Sequence, residues 1–179
     1  MPESTDLRNT IEDNRGTWKK LQLKIPGLQE YRKLEDIRAA DQLLRKQISD
    51  KLNDSKSNLE ELRKTITAKN DFSNLVMIGN IISQIQQISG LVQHSQQGSA
   101  GISPNIRIDE KVLNKLYEYD FNSVNSSEQI YLQCSTSIAD YVSGKSVQEI
   151  SLKISSLLDE FNKTWKQRLE SVQNILVTK

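Results

Sequence analysis

The stretch KIPGLQEYRKLEDIRAADQLLRKQISDKLNDSKSNLEELRKTITAK, Lys24 to Lys69, decides how this chain folds. Pro26 fixes its own backbone and disfavours helix at Ile25, and Gly27 is a poor helix-interior residue, so Ile25-Pro26-Gly27 marks a turn and a helix begins near Leu28. Beyond it Tyr31, Leu34, Ile37, Asp41, Leu44, Ile48, Leu52, Ser55, Leu59, Leu62 and Ile66 recur in steps of three and four. That spacing holds one helical face, and no Gly or Pro breaks it. At ~1.5 Å per residue the helix spans about 60 Å, the length of a hairpin or coiled-coil arm. The seam steps at about 3.5 residues per turn early and about 3.67 beyond Leu44, which argues against a uniform zipper.

Charges of both signs coat the rest of this helix, and pairs four apart such as Glu60 with Lys64 read as a solvated face. Asp41 is different because it lies on the seam. A carboxylate facing a core needs donors, and Arg38, Arg45 or a tyrosine from another helix can supply them.

Working outward, Asn70-Asp71 supplies a turn and a cap. A second helix follows with Phe72, Leu75, Val76, Ile78, Ile82, Ile85, Ile88 and Val92 on one face and Ser, Asn and Gln on the other. So tight a connection folds it back antiparallel on the first helix. Met77 to Val92 is the most apolar segment of the chain, to be read as bundle core in preference to a self-association face. His94 ends this helix as a surface residue. Ser95 to Arg107 is a connector. Its Gly98-Ser99-Ala100-Gly101 lacks the preceding strand and the Lys-Ser/Thr of a phosphate loop.

Asp109 caps a third helix with Leu113, Leu116, Tyr117, Asp120, Val124, Ser127, Tyr131, Cys134, Ile138 and Tyr141 on its face. It is read as one helix to Val142, with a break near Asn125 as the alternative. Gly144 stops it, and Ser146-Val147-Gln148-Glu149 is a capping box for a fourth helix that buries Val147, Ile150, Ile154, Leu157, Phe161, Trp165, Leu169, Val172 and Ile175. Residues 1–23 are polar. They are expected to be flexible or loosely docked, with Trp18 and Leu23 capping the bundle end; Trp18-Lys19-Lys20 as an interfacial anchor is the weaker reading.

The residues Ile25-Pro26-Gly27, Tyr31-Arg32, Glu35, Arg38, Ala40-Asp41, Leu44 and Arg45, followed by Leu116-Tyr117-Glu118-Tyr119-Asp120, resemble a family of short prokaryotic helical, coiled-coil-like proteins. That family carries an Ile-Pro-Gly turn into a Tyr-Arg, Glu, Arg, Ala-Asp, Arg helix. The resemblance covers the chain from Lys24 onward and implies the helical fold; it implies no activity. Its members often place a glycine and an aromatic before the second-half segment, whereas Gln96 to Gly101 has no aromatic.

Composition narrows function. With 179 residues, 36% hydrophobic, 26% charged, 7 Gly and 3 Pro, the chain has the profile of one elongated helical domain, residues 24–179. A net charge of +1 favours neither nucleic acid nor an anionic membrane as partner. One Cys and one His, with no carboxylates at metal spacing, leave no catalytic, cofactor or metal constellation. Cys134 reads as a buried free thiol in a reducing compartment. The absence of a signal-like N-terminus or a run near 18 apolar residues points to the cytoplasm.

The expected fold is therefore an all-α, elongated antiparallel bundle of two helical hairpins, 28–93 and 109–177, joined by the loop 95–107. The expected function is a non-enzymatic structural or adaptor role through helix-face contacts with itself or a protein partner, with a peripheral membrane scaffold as the alternative. Because Asp41 and Asp120 both fall on seams, they are expected to mark where the hairpins meet, with Tyr31, Arg38, Arg45 and Tyr117 as their donors.

Overall fold

The computed structural model describes residues 16–17, 19–25, 37–95 and 110–177, and for 37–39, 110–114 and 174–177 the backbone alone. The fold is an all-α bundle. Its long helices are α1 (Ile37–Ala68), α2 (Leu75–His94), α3 (Glu110–Val142) and α4 (Val147–Val177), and a single 3-10 turn, Phe72–Asn74, precedes α2. α3 is continuous through Asn125. The start near Leu28, the connector and the Asp109 cap lie outside the described residues.

Both hairpin turns close with the same backbone chemistry. At the end of α1, Asn70 takes φ 57° and donates to Thr67 O at 3.0 Å, while Asp71 N donates to Ile66 O at 3.2 Å. At the end of α3, Gly144 takes φ 99° and donates to Tyr141 O, and Lys145 N donates to Asp140 O at 3.0 Å. Each pair of bonds satisfies helix-end carbonyls that would otherwise lack a partner. Ser146 then caps α4, its Oγ accepting from Glu149 N at 3.1 Å.

α1 packs against α2 and α3, and α4 packs against α3 and α2, so α1 and α4 face each other only across the bundle diagonal. Contacts rising together along α1 and α3 show that these two run parallel: Lys51 lies over Tyr131 and Lys69 over Tyr141. Two antiparallel hairpins thus lie side by side. Their tips touch where Tyr141 Oη donates to Asp71 Oδ2 at 3.2 Å.

The α1 seam is buried from Asp41 through Leu44, Ile48, Leu52, Ser55, Leu59, Leu62 and Ile66. Each fully buried aliphatic side chain contributes roughly 1.5–3 kcal/mol, so this line alone anchors the fold. Elsewhere the expected faces shift. Phe72 and Val76 are 60% and 71% exposed, because α2 turns Ile78, Ile81, Ile82, Ile85 and Ile88 inward instead. On α4 the buried line runs Val147, Ile150, Ile154, Leu158, Phe161, Trp165, Arg168 and Val172, leaving Leu157 and Leu169 half-buried. On α3 it runs Leu116, Asp120, Ser123, Ser127, Ile130, Cys134 and Ser137, with Tyr131, Ile138 and Tyr141 at its flank.

Within residues 19–25 the chain lies against the bundle. Leu21 and Ile25 are buried, Gln47 Nε2 donates to Lys24 O at 2.8 Å, and Lys24 pairs with Glu128. Leu23, expected to cap the bundle, is 75% exposed because it lies on the outer side of that short helical stretch. Trp18 lies outside the described residues. The segment Phe72–His94 has no unbroken apolar run, but an 18-residue window within it reaches a mean hydropathy of 1.3, enough by length and composition alone to cross a membrane. Here one face of that helix lines the core.

Candidate functional site

The most elaborate polar arrangement among the described residues is an ionic clasp at the end of the bundle where α2 stops. Helical spacing places Asp41 and Arg45 one turn apart on α1, and Arg45 Nε donates to Asp41 Oδ2 at 2.7 Å. Arg45 Nη1 also donates to Val92 O at 2.9 Å and to Ser95 Oγ. A cation thereby sits on the last carbonyls of α2, where the helix dipole is negative. Arg168 of α4 completes the arrangement. It donates from Nη2 to Asp41 Oδ1 and from Nε to Asp120 Oδ1 of α3, each at 2.5 Å.

Trp165 lies beneath both guanidiniums, with Cζ of Arg168 4.8 Å and Cζ of Arg45 5.5 Å from its ring centroid. Phe161 stacks beside it at 6.1 Å. Such cation–π contacts favour Arg because a planar guanidinium lies flat on the ring while still bonding carboxylates at its edge. The clasp therefore joins all four long helices. Two positive and two negative groups balance, and the charged side chains are nearly excluded from solvent, Arg168 at 2% exposure. Two buried donors in it, Nη1 of Arg168 and Nε1 of Trp165, have no acceptor among the described residues.

The two carboxylates differ electrostatically. Burial alone would raise the Asp41 carboxyl, yet the Arg168 and Arg45 guanidiniums outweigh it and hold its pKa below 3.8. For Asp120 burial wins: it pushes the carboxyl above 3.8, Arg168 offsets only part, and the nearby Asp41 charge adds to the rise. Tyr117, half-buried near Asp120, has its hydroxyl pushed up to about 12 by burial and by that carboxylate. Arg168, with both acids beside it, is held firmly charged against the cost of burial.

Of the residues expected at the meeting of the hairpins, Asp41, Arg45 and Asp120 are in the clasp. Tyr117 is one turn from Asp120. Tyr31 and the side chain of Arg38 lie outside the described residues. The direct donor to Asp120 is Arg168, which was not among the expected donors; Arg45 serves Asp41 and α2. A signal for Arg168 existed, since it occupies a seam position between Trp165 and Val172.

Chemically the clasp is a fastening. Asp41 spends both oxygens on guanidiniums, as an ion pair that fixes register does. Cys134 is fully buried and its thiol is pushed up to about 12 by burial, so it remains an unreactive thiol near neutral pH. Among the described residues no group of three or more His, Cys, Asp or Glu is placed to hold a metal ion. A solvent-open depression of about 460 Å³ lies far from the clasp on α1, lined by Glu60, Arg63, Lys64, Thr67 and Ala68. No family model, curated protein or solved structure matches the chain.

Proposed function

We propose that this protein is a non-enzymatic structural or adaptor protein that works through helix-face contacts with other protein surfaces. One observation carries the reading: the buried charged side chains among the described residues, Asp41, Arg45, Asp120 and Arg168, bond one another in a four-helix clasp, while apolar side chains stand on the outer faces of the helices. Val76, Leu132 and Leu152 are 71%, 60% and 64% exposed on α2, α3 and α4. A fastening of this kind fixes the relative position of two hairpins and hence of any surface they present. A cytoplasmic setting fits the single unpaired thiol.

A tagged full-length chain used as bait in its native host tests this. A protein captured by wild type, lost with Leu132→Glu or Leu152→Glu, and still lost when those variants melt like wild type, supports the adaptor reading. The second reading, a peripheral membrane scaffold, is favoured by Leu23 standing exposed beside exposed Lys19 and Lys20. Flotation of the chain with anionic vesicles, abolished by Leu23→Glu, would move the assignment there.

A further inference from the structure

Residues 19–25 belong to neither hairpin, yet this short helical stretch is seated against both. Leu21 and Ile25, four apart, are buried and join the core cluster that holds Leu44, Ile48 and Val124. α1 and α3 supply the walls of the seat. From α1, Gln47 Nε2 donates at 2.8 Å to Lys24 O, a carbonyl at the end of the stretch. From α3, the Glu128 carboxylate pairs with the Lys24 ammonium, which lies 6.0 Å from the Phe121 ring centroid. One turn further along, Lys51 of α1 lies over Tyr131 of α3 and bridges the two walls.

These walls read a helix end. They bury two aliphatic side chains one turn apart, offer an amide to a carbonyl that a helix leaves without a partner, and place a carboxylate beside a cation in the last turn. The chain's own segment fills the seat incompletely, because the buried Gln47 Oε1 has no donor among the described residues. Its hold is also light. Two side chains, one hydrogen bond and an ion pair whose partners stay 32% and 38% exposed oppose the conformational entropy of ordering residues 19–25. The opposing contributions are similar in size, so this stretch opens at a lower free energy than the bundle does.

From this we infer that residues 19–25 are a releasable strap, occupying in cis a groove between α1 and α3 that receives a short basic amphipathic helix of a protein partner. The pattern required of that helix is two aliphatic residues four apart, Lys or Arg just before the second, and a donor for Gln47 Oε1. The strap carries the first two features in Leu21, Lys24 and Ile25, which makes it a built-in competitor, and lacks the third, which lets a partner displace it. The chemistry of the walls selects a basic peptide. Glu128 and the unmet Gln47 oxygen attract donors and repel phosphate, whether of nucleic acid or of lipid headgroups. The inference gives the helix-face contact of the proposed function a definite groove, and it rests on that reading.

Two measurements on the full chain test it. Hydrogen exchange of wild type should show the Ile25 amide, bonded to Leu21 O at 3.0 Å, exchanging at least about tenfold faster than the amides of Leu52 and Ile85 and insensitive to low urea. An Ile25 amide that exchanges only with global unfolding would overturn the strap. In the second measurement the amide shifts of Gln47 and Glu128 are followed by NMR while a synthetic peptide of residues 16–25 is added. Wild type, whose own strap competes at an effective concentration of about millimolar, should bind the peptide at least about threefold more weakly than the Leu21→Glu chain. Adding Glu128→Lys to Leu21→Glu should weaken peptide binding at least about threefold, and a peptide carrying Lys24→Glu should restore it. Adding Glu160→Lys instead, the same reversal on the exposed side of α4, should leave binding unchanged. Equal binding by wild type and Leu21→Glu, a failed charge rescue, or flotation of the Leu21→Glu chain with anionic vesicles in place of peptide binding would each overturn the inference. A groove that takes the peptide while no host protein is captured removes the adaptor reading and keeps the strap. Capture of a host protein through Leu132 or Leu152, with an Ile25 amide that opens only on global unfolding, does the reverse.

Discussion

Arg168 and Asp41 stand 127 residues apart in the chain and 2.5 Å apart in the fold, Nη2 against Oδ1. Their helices lie diagonally across the bundle, so this bond spans a gap that backbone packing does not close. Arg168 is also the only described side chain bonded to both seam carboxylates. Arg168→Met leaves Asp120 and part of Asp41 buried without a partner, and is expected to destabilise by about 3–5 kcal/mol in urea melts. In double-mutant cycles, Asp120→Asn with Arg168→Met should show coupling above about 0.5 kcal/mol, and Asp120→Asn with Arg45→Met a smaller one, since Arg45 bonds elsewhere.

The same clasp sets an order of protonation in acid. Asp120, its pKa raised by burial, takes up its proton above 3.8; Asp41, held down by two guanidiniums, takes it up below 3.8. The native state therefore binds a proton at Asp120 more tightly than the unfolded chain does, and this group's contribution to stability rises as pH falls through its titration. Asp41 works in the opposite sense: its contribution is present above 3.8 and is lost as pH falls through its lowered pKa. Carboxyl carbon shifts followed by NMR should show Asp120 titrating before Asp41. The reverse order would mean that Arg168 favours Asp120 over Asp41.

Three glycines separate backbone need from packing. Gly144 sits at φ +99°, a conformation that side-chain-bearing residues rarely adopt, so Gly144→Ala is expected to cost about 1–2 kcal/mol. Gly79 and Gly90 have ordinary helical backbone and open space around them. Alanine at either should raise the stability of the chain by roughly 0.8–1 kcal/mol. Thermal melts of the three single variants check both signs at once.

What the sequence made legible was the part of the fold written in large aliphatic residues. The α1 seam from Asp41 to Ile66 and both turns, at Asn70 and Gly144, follow from spacing and turn chemistry. The α3 seam was harder because its buried positions are filled by Ser123, Ser127, Cys134 and Ser137, which pack closely without announcing themselves as apolar. On α4 the adjacent Leu157 and Leu158 both suit a seam, and choosing Leu157 rotates the face so that Leu169 displaces Arg168. The acids of the clasp could be read as seam residues in need of donors. Their shared donor was harder to read: Arg168 falls at seam spacing between Trp165 and Val172, but that spacing competes with the Leu157–Leu169 face, and a long cation can point inward or out from such a position.

Cys134 and Tyr117 extend the argument to alkaline pH. Burial pushes the Cys134 thiol up to about 12 from 9.0, partly offset by the Ser55 hydroxyl beside it, and burial with the Asp120 carboxylate pushes Tyr117 up to about 12 from 10.0. In both cases the folded chain keeps a proton that the unfolded chain would release, so ν is larger in the native state and stability falls as pH rises. The contribution of Cys134 is complete below 9.0 and that of Tyr117 below 10.0, and both are lost progressively toward about 12. Urea midpoints measured across that range should decline, and Cys134→Ala and Tyr117→Phe should each flatten part of the decline. A midpoint that falls equally in the wild type and in both variants would assign the loss to other groups. The same burial makes Cys134 a reporter at neutral pH: a thiol reagent should modify it only through opening of the α1–α3 interface, so destabilising the clasp with Arg168→Met should speed its labelling while leaving the labelling rate of the urea-unfolded chain unchanged.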